Sequence, residues 1–244
     1  MIGFTSVTFR NLSVDRIIEL AVEAGAECIE WGGDIHVTDV KSAEYARQKC
    51  MENNIAVNSY GSYFRMIENS IEDFEAQCRI CKALGAKVIR IWAGIKGSAR
   101  TDEATLQRIV EQGRAMAKIA AEYGITVAAE FHDNTYNDDG ESSLHLLKLI
   151  GCNNFKTYWQ PKWHGNDVLR AKTVADNCVN VHLFYWDLLG TRRRLLADGK
   201  KKLIPMIEEL KKQEFSGDWI LEFVKGDSEA AFLEDMKTLR ELCS

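Results

Sequence analysis

Short apolar, β-branched runs alternate along the whole chain with longer stretches in which apolar residues recur every three or four positions. The strand-like runs span 2–7, 28–31, 56–60, 87–92, 126–131, 156–159, 180–184 and 219–224. Helical spacing covers 14–24, where Ser13 opens and Gly25 closes the segment, and 69–86, where Ser70 is the cap, Asp73 lies three residues on and Gly85 is the stop. It returns at 101–124, with Thr101 as cap and Gly124 as stop, and at 142–150, 167–177, 200–212 and 228–242. Strands alternating with helices imply parallel pairing, because parallel strands need crossover connections. Eight strand–helix units in 244 residues predict one closed (β/α)8 barrel over 1–244. An open doubly wound sheet is the structural alternative. It would carry a glycine-rich phosphate loop after its first strand, and "VTFRNLSV" has no glycine.

Residue parity then sorts the side chains. Adjacent strand residues face opposite sides of a sheet, so in a barrel one set points to the interior and the other to the helices. On the fifth strand Ala128, Glu130 and His132 share a face, opposite Val127, Ala129 and Phe131. The apolar set suits the helices, which turns Glu130 and His132 inward. The eighth strand pairs Ile220 with Glu222, the seventh carries His182 between Val181 and Leu183, and the sixth ends in Gln160 on the face of Tyr158. Four successive strands thus bring Glu130, Gln160, His182 and Glu222 to the C-terminal rim, where barrels of this kind place catalytic groups. Any one of these residues alone reads equally well as structural. Together they need a shared countercharge, because ionised carboxylates are rarely buried unpaired. Carboxylate, imidazole and amide oxygen suit a divalent Mn²⁺, Mg²⁺, Co²⁺ or Zn²⁺ ion. Glu30 and Arg90 also have apolar neighbours. They form an ion pair inside the barrel or, in the alternative, one of them reaches solvent at a strand end.

Composition narrows the setting. Hydrophobic residues make up 46% of the chain and the net charge is −5, which supports a sizeable core and disfavours nucleic acid as a partner. No apolar run approaches the length of a membrane span, and "MIGFTSVTFR" lacks the basic-then-apolar order of a secretory signal. The seven cysteines are odd in number and scattered, which points to a reducing, cytoplasmic setting without a disulfide framework. Cys78 and Cys81 fall on one face of a helical segment and read as small core residues.

At "IEWGGD", "AEFHDNTYND", "NVHLFYWD" and "ILEFVKG" the chain resembles the xylose isomerase-like barrels, sugar and sugar-phosphate isomerases and epimerases that also include endonuclease IV. The resemblance implies one divalent ion held by Glu130, Gln160, His182 and Glu222. It implies isomerisation or epimerisation of a small hydroxy-carbonyl compound, in which Glu130 and Glu222 remove and return the proton next to the carbonyl. His132 is then a substrate hydrogen-bond group. Two departures stand out: Gln160 replaces the family's strand-six aspartate, and His164 falls one place after the family's histidine position, which is Trp163 here. A binder that kept the barrel and lost a ligand is the first alternative. A nuclease is the second, and five histidines are few for its metal cluster.

Trp31, Tyr60, Trp92, Trp159 and Trp186 lie near strand ends, where aromatic faces suit a sugar, although barrel packing explains them as well. Arg192, with Arg193 and Arg194, follows the seventh strand as an anion clamp or a solvated helix start. "WGGDIHV" is a candidate lid, with Asp34 or His36 reaching substrate. A small sugar-like molecule is the expected partner, and a homodimer stays open.

Overall fold

The computed structural model describes residues 1–187 and 190–244. Eight parallel strands close into a barrel in sequence order: β1 (Ile2–Thr5), β2 (Cys28–Gly32), β3 (Ala56–Arg65), β4 (Val88–Trp92), β5 (Thr126–Glu130), β6 (Phe155–Trp159), β7 (Cys178–Leu183) and β8 (Asp218–Leu221). The helices that return the chain are α1 (Val14–Ala24), α2 (Val40–Glu52), α3 (Ile71–Leu84), α4 (Glu103–Glu122), α5 (Gly140–Ile150), α6 (Asp167–Val174), α7 (Lys200–Lys212) and α8 (Glu229–Cys243). Each helix packs beside the next, and α8 closes the ring on α1.

Local chemistry fixes the helix ends. Ser13 accepts a hydrogen bond from the Arg16 amide, and Gly25 takes the left-handed conformation that ends α1. Ser70 and Asp73 form a reciprocal capping box at the start of α3. The cap of α4 is Asp102 rather than the expected Thr101, because the Asp102 carboxylate accepts from the Thr105 amide. The sequence pattern did not single out α2. Its buried face is made of small residues, Ala43, Ala46 and Cys50, which give weak hydrophobic contrast.

Two cores of opposite character share the sheet. Between strands and helices the packing is apolar and aromatic. Phe4 and Phe9 both meet Phe232 of α8 edge-on, at ring-centroid distances of 4.7 and 5.3 Å. Inside the barrel the side chains are polar. The registers Thr5↔Glu30, Glu30↔Ser59, Gly61↔Arg90, Glu130↔Tyr158 and Tyr158↔Asn180 put these groups on adjacent strands. Gly61 makes room for the largest of them: a Cβ there would stand 2.7 Å from Arg90 Nη2 and 3.3 Å from Glu30 Oε1.

Buried Asp235 on α8 holds the segment after β7 by accepting the Leu196 amide at 2.6 Å. Burial pushes its carboxyl from 3.8 up to about 7. A group raised in the folded state contributes stability that is full at low pH and is lost as the pH climbs through about 7. Asp235→Asn keeps the acceptor and removes the charge. Its melting temperature should exceed the parent's by roughly 2–4 °C at pH 8, as expected for about 1 kcal/mol in a chain of this length. Calorimetric scans across pH should show that gap narrowing toward pH 4.

Candidate active site

Arg90 of β4 anchors the rim. It is 3% exposed, and its Nε donates to Glu30 Oε1 at 3.2 Å while its Nη1 meets Glu130 Oε2. The ion pair expected between Glu30 and Arg90 is therefore formed, and Glu130 belongs to the same network. Trp92 Nε1 also donates to Glu130 Oε2, at 2.5 Å. Burial by itself would raise Glu130, but the Arg90 guanidinium and His182 outweigh it and hold the carboxylate at about 2. Burial acts on Glu30 in the same way, and His182 and Arg90 keep it far below the usual carboxylate range.

His182 of β7 sits at the centre, fully buried. Its Nε2 lies 3.2 Å from Glu30 Oε2. Its Nδ1 faces Glu130 Oε1 and Glu222 Oε2, each 3.5 Å away, and is buried without a hydrogen-bond partner among the described residues. Glu222 follows β8 and is 5% exposed, and among the described ion pairs its carboxylate meets His182 alone. Burial pushes Glu222 up to about 7. Burial would lower His182, but Glu30 and Glu222 override it and raise the imidazole to about 10.

These shifts describe a site short of positive charge. Three carboxylates face one guanidinium, which leaves two negative charges unmatched when the imidazole is neutral. A divalent cation would supply that charge. Glu130, His182 and Glu222 each offer one ligand atom, all within 4.8 Å of one another. The unpartnered Nδ1 and the oxygen–oxygen–nitrogen donor set fit such an ion. Glu30 behind the imidazole completes the carboxylate–histidine arrangement common at metal sites.

The other residues expected from the sequence are spread more widely. Gln160 donates its Nε2 to the Phe131 carbonyl at 2.8 Å, so its carboxamide ties the ends of β5 and β6. Trp92 stands in the mouth, between Tyr63 and His132, at centroid distances of 5.1 and 6.0 Å. Trp31 and Tyr60 do not reach the mouth. Trp31 packs edge-on against His36, and the Tyr60 hydroxyl donates to Gln77 of α3 at 2.8 Å. Strand parity explains this: a residue next to an inward Glu30 or Ser59 must face the helices. His164 is exposed and lines a separate cleft of about 400 Å³ with Trp163, Lys202 and Met206. Arg192 is exposed. Arg193 turns inward instead, over the Phe223 ring at 4.3 Å and paired with Asp227. In the expected lid, Asp34 pairs with Arg10, and buried His36 bonds Ser6 Oγ at 3.0 Å and the Leu12 carbonyl at 3.1 Å.

Two residues of the rim were missed. A cavity of about 520 Å³ opens among Phe9, Arg10, Tyr63, Arg193, Phe223 and Asp227. Tyr63 and Phe223 hold left-handed backbone, at φ 57° and 55°, which is rare for aromatic residues and concentrates at functional sites. Tyr63 lies in the irregular register of β3 against β4, and its ring is 5.4 Å from the Arg90 guanidinium. A bulge of this kind leaves no clear trace in the hydrophobic pattern.

A profile for the family described as xylose isomerase-like TIM barrel matches residues 18–242. Among characterised proteins, a 3-dehydroshikimate dehydratase of Bacillus anthracis is 26% identical over 162 residues, covering 62% of this chain and 58% of the relative. A probable L-ribulose-5-phosphate 3-epimerase of Mycoplasma pneumoniae is 23% identical over 159 residues, covering 63% and 50%. The matches thus span just over half the length of these relatives. Solved structures share the fold across nearly the whole chain. A probable 3-dehydroshikimate dehydratase from Bacillus anthracis superposes with a TM-score of 0.85 at 21% identity, covering 98% of both chains. A D-psicose 3-epimerase from Clostridium cellulolyticum superposes at 0.80 with 13% identity, covering 99% of this chain and 97% of the other.

Removing the guanidinium should be costly. Arg90→Met leaves Glu30 and Glu130 buried without their guanidinium, a loss of about 3–5 kcal/mol. Glu130 is depressed in the folded protein, so the stability it contributes is present above its unfolded value and lost as the pH falls toward about 2. The variant's deficit in urea unfolding, with chelator present, should therefore be largest near pH 8 and shrink toward pH 4.

Proposed function

Because this chain belongs to the xylose isomerase-like TIM-barrel family, we propose that it is an enzyme that moves a proton next to the carbonyl of a small polyhydroxylated compound. The reading is a metal-dependent isomerase or epimerase of a sugar, a sugar phosphate or a related hydroxy-carbonyl molecule. The observation that carries it is the convergence of Glu130, His182 and Glu222 within 4.8 Å at the catalytic end of the barrel.

Glu130, His182 and Glu222 would hold the divalent ion, with Gln160 beside them. When bound, the ion supplies Lewis-acid stabilisation of negative charge on substrate oxygen. The protein's own groups divide the remaining work. Glu222, raised to about 7 by burial, is tuned to take the proton from the carbon next to the carbonyl. The electron pair of that C–H bond moves onto the carbonyl oxygen and leaves an enediolate. Return of the proton to the opposite face gives the epimer, and return to the neighbouring carbon gives the isomer. Glu130, beside Glu222 at His182 Nδ1, is the partner for that return after its carboxylate takes up a proton from a substrate hydroxyl or water. Trp92 and Tyr63 exclude water and present aromatic faces to the substrate.

A second reading has its own support. Arg90 and Trp92 grip Glu130, while among the described residues Glu222 has no such restraint. One mobile acid–base group suffices for dehydration: Glu222 takes the proton, a C–O bond breaks at the next carbon, and the departing hydroxide leaves as water with a proton from Glu222. The similarity to a 3-dehydroshikimate dehydratase favours the same outcome.

One assay separates these readings. The protein is incubated with Mn²⁺ in deuterated water against ketopentoses, ketohexoses, hydroxypyruvate and hydroxylated cyclic keto acids. The proposal expects deuterium in recovered substrate or product, or water loss to an unsaturated product if the second reading holds. Glu222→Gln should lower either rate by about 10²–10⁴-fold. No exchange and no elimination anywhere in the panel rejects both. Mn²⁺ affinity should also rise as the pH passes through about 7 and on toward about 10, because the ion displaces protons from Glu222 and His182.

A further inference from the structure

Glu30 takes no part in the chemistry proposed above, yet it is fully buried and touches three groups at the site. Its Oε1 accepts from Arg90 Nε at 3.2 Å, and its Oε2 lies 3.0 Å from Ser59 Oγ and 3.2 Å from His182 Nε2. With the Arg90 guanidinium on Oε1, Glu30 is an ionised acceptor. The hydrogen between it and His182 therefore resides on Nε2. When the ring gives up its other hydrogen to a bound ligand, Nδ1 presents its lone pair toward Glu130 and Glu222.

The support for Glu30 extends down the barrel. Tyr158 meets the His182 ring edge-on, with centroids 5.2 Å apart, and its hydroxyl accepts from Asn180 Nδ2 at 2.6 Å. Asn180 also donates to Asn58 Oδ1 at 2.8 Å, and Asn58 donates to Asp218 at 2.6 Å. Asp218 pairs with the terminal amine of Met1, 2.6 Å away. Ser59 Oγ lies 2.5 Å from Asn58 Oδ1 and 3.0 Å from Glu30 Oε2, so a column of polar contacts runs from the floor of the barrel through Ser59 and Glu30 to the imidazole.

From this geometry we propose that Glu30 is a positioning residue, which fixes the hydrogen of His182 on Nε2 and aims Nδ1 at the space between Glu130 and Glu222, where a metal ion or a substrate oxygen binds. The inference rests on the proposed site but not on its catalytic outcome. Two consequences follow from the chemistry. The orientation of His182 is set before any ligand arrives, so ligand binding does not have to select the ring's tautomer. The carboxylate behind the imidazole also makes Nδ1 a stronger donor atom.

The test uses the whole protein labelled with ¹⁵N histidine, with zinc as a diamagnetic probe and without metal. In the parent, His182 should show a hydrogen on Nε2, shifted downfield and slow to exchange, under both conditions. Glu30→Gln should lose that signal and weaken Mn²⁺ binding in calorimetry by about 10–100-fold. Ser59→Ala, which removes the hydroxyl from Glu30 and Asn58 but leaves the carboxylate behind His182, should weaken it less. A parent whose Nε2 carries no hydrogen overturns the proposal, even if the Gln variant fails to fold. So does a folded Glu30→Gln protein with unchanged Mn²⁺ affinity and the same His182 signal. If the parent binds no metal while the Nε2 hydrogen is present and lost in Glu30→Gln, the positioning role stands and the metal-dependent reading fails instead.

Discussion

The placement of one guanidinium among three carboxylates governs the upper half of this barrel. A buried ionised carboxylate costs several kcal/mol unless a partner repays it. Arg90 serves Glu30 and Glu130 together, and Gly61 leaves room for its side chain on the neighbouring strand. Glu222 stays outside that grip and shares only the edge of His182. The same arrangement creates stability and reactivity. Two carboxylates are locked in the charged form, and the third is held near neutrality by burial, where protons are exchanged most readily.

The barrel also separates its two kinds of packing. Helix-facing positions carry Phe4, Trp31, Trp159 and the aliphatic residues that hold the helical ring in place. Interior positions carry a hydrogen-bonded set that runs from Asp218 to Glu130. A polar interior is satisfied only if each group finds a partner, and the registers of neighbouring strands provide those partners. That requirement makes the interior rigid, and a rigid interior can hold His182 in one orientation.

Much of this was legible along the chain. The alternation of strand and helix, the caps at Ser13 and Ser70, and the parity that turned Glu130, His182 and Glu222 inward all follow from local rules of period and side-chain direction. The same parity, applied one residue further, would have sent Trp31 and Tyr60 to the helices. Proximity to a strand end says nothing about which face a residue occupies. Gln160 kept its place at the end of β6, but no local pattern signals that its amide donates to the Phe131 carbonyl.

What the sequence by itself determined is the periodic part: eight units, their order, and the inward faces of the late strands, because hydrophobic period and capping act over a few residues. Only the tertiary structure decided how those faces meet. Closure of the sheet brings Arg90 from β4 against carboxylates on β2 and β5, and sets His182 between Glu30 and Glu222. It also bends Tyr63 and Phe223 into left-handed backbone around the cavity. Those contacts join residues far apart in the chain, and their geometry is fixed by strand register and closure, which no local pattern encodes.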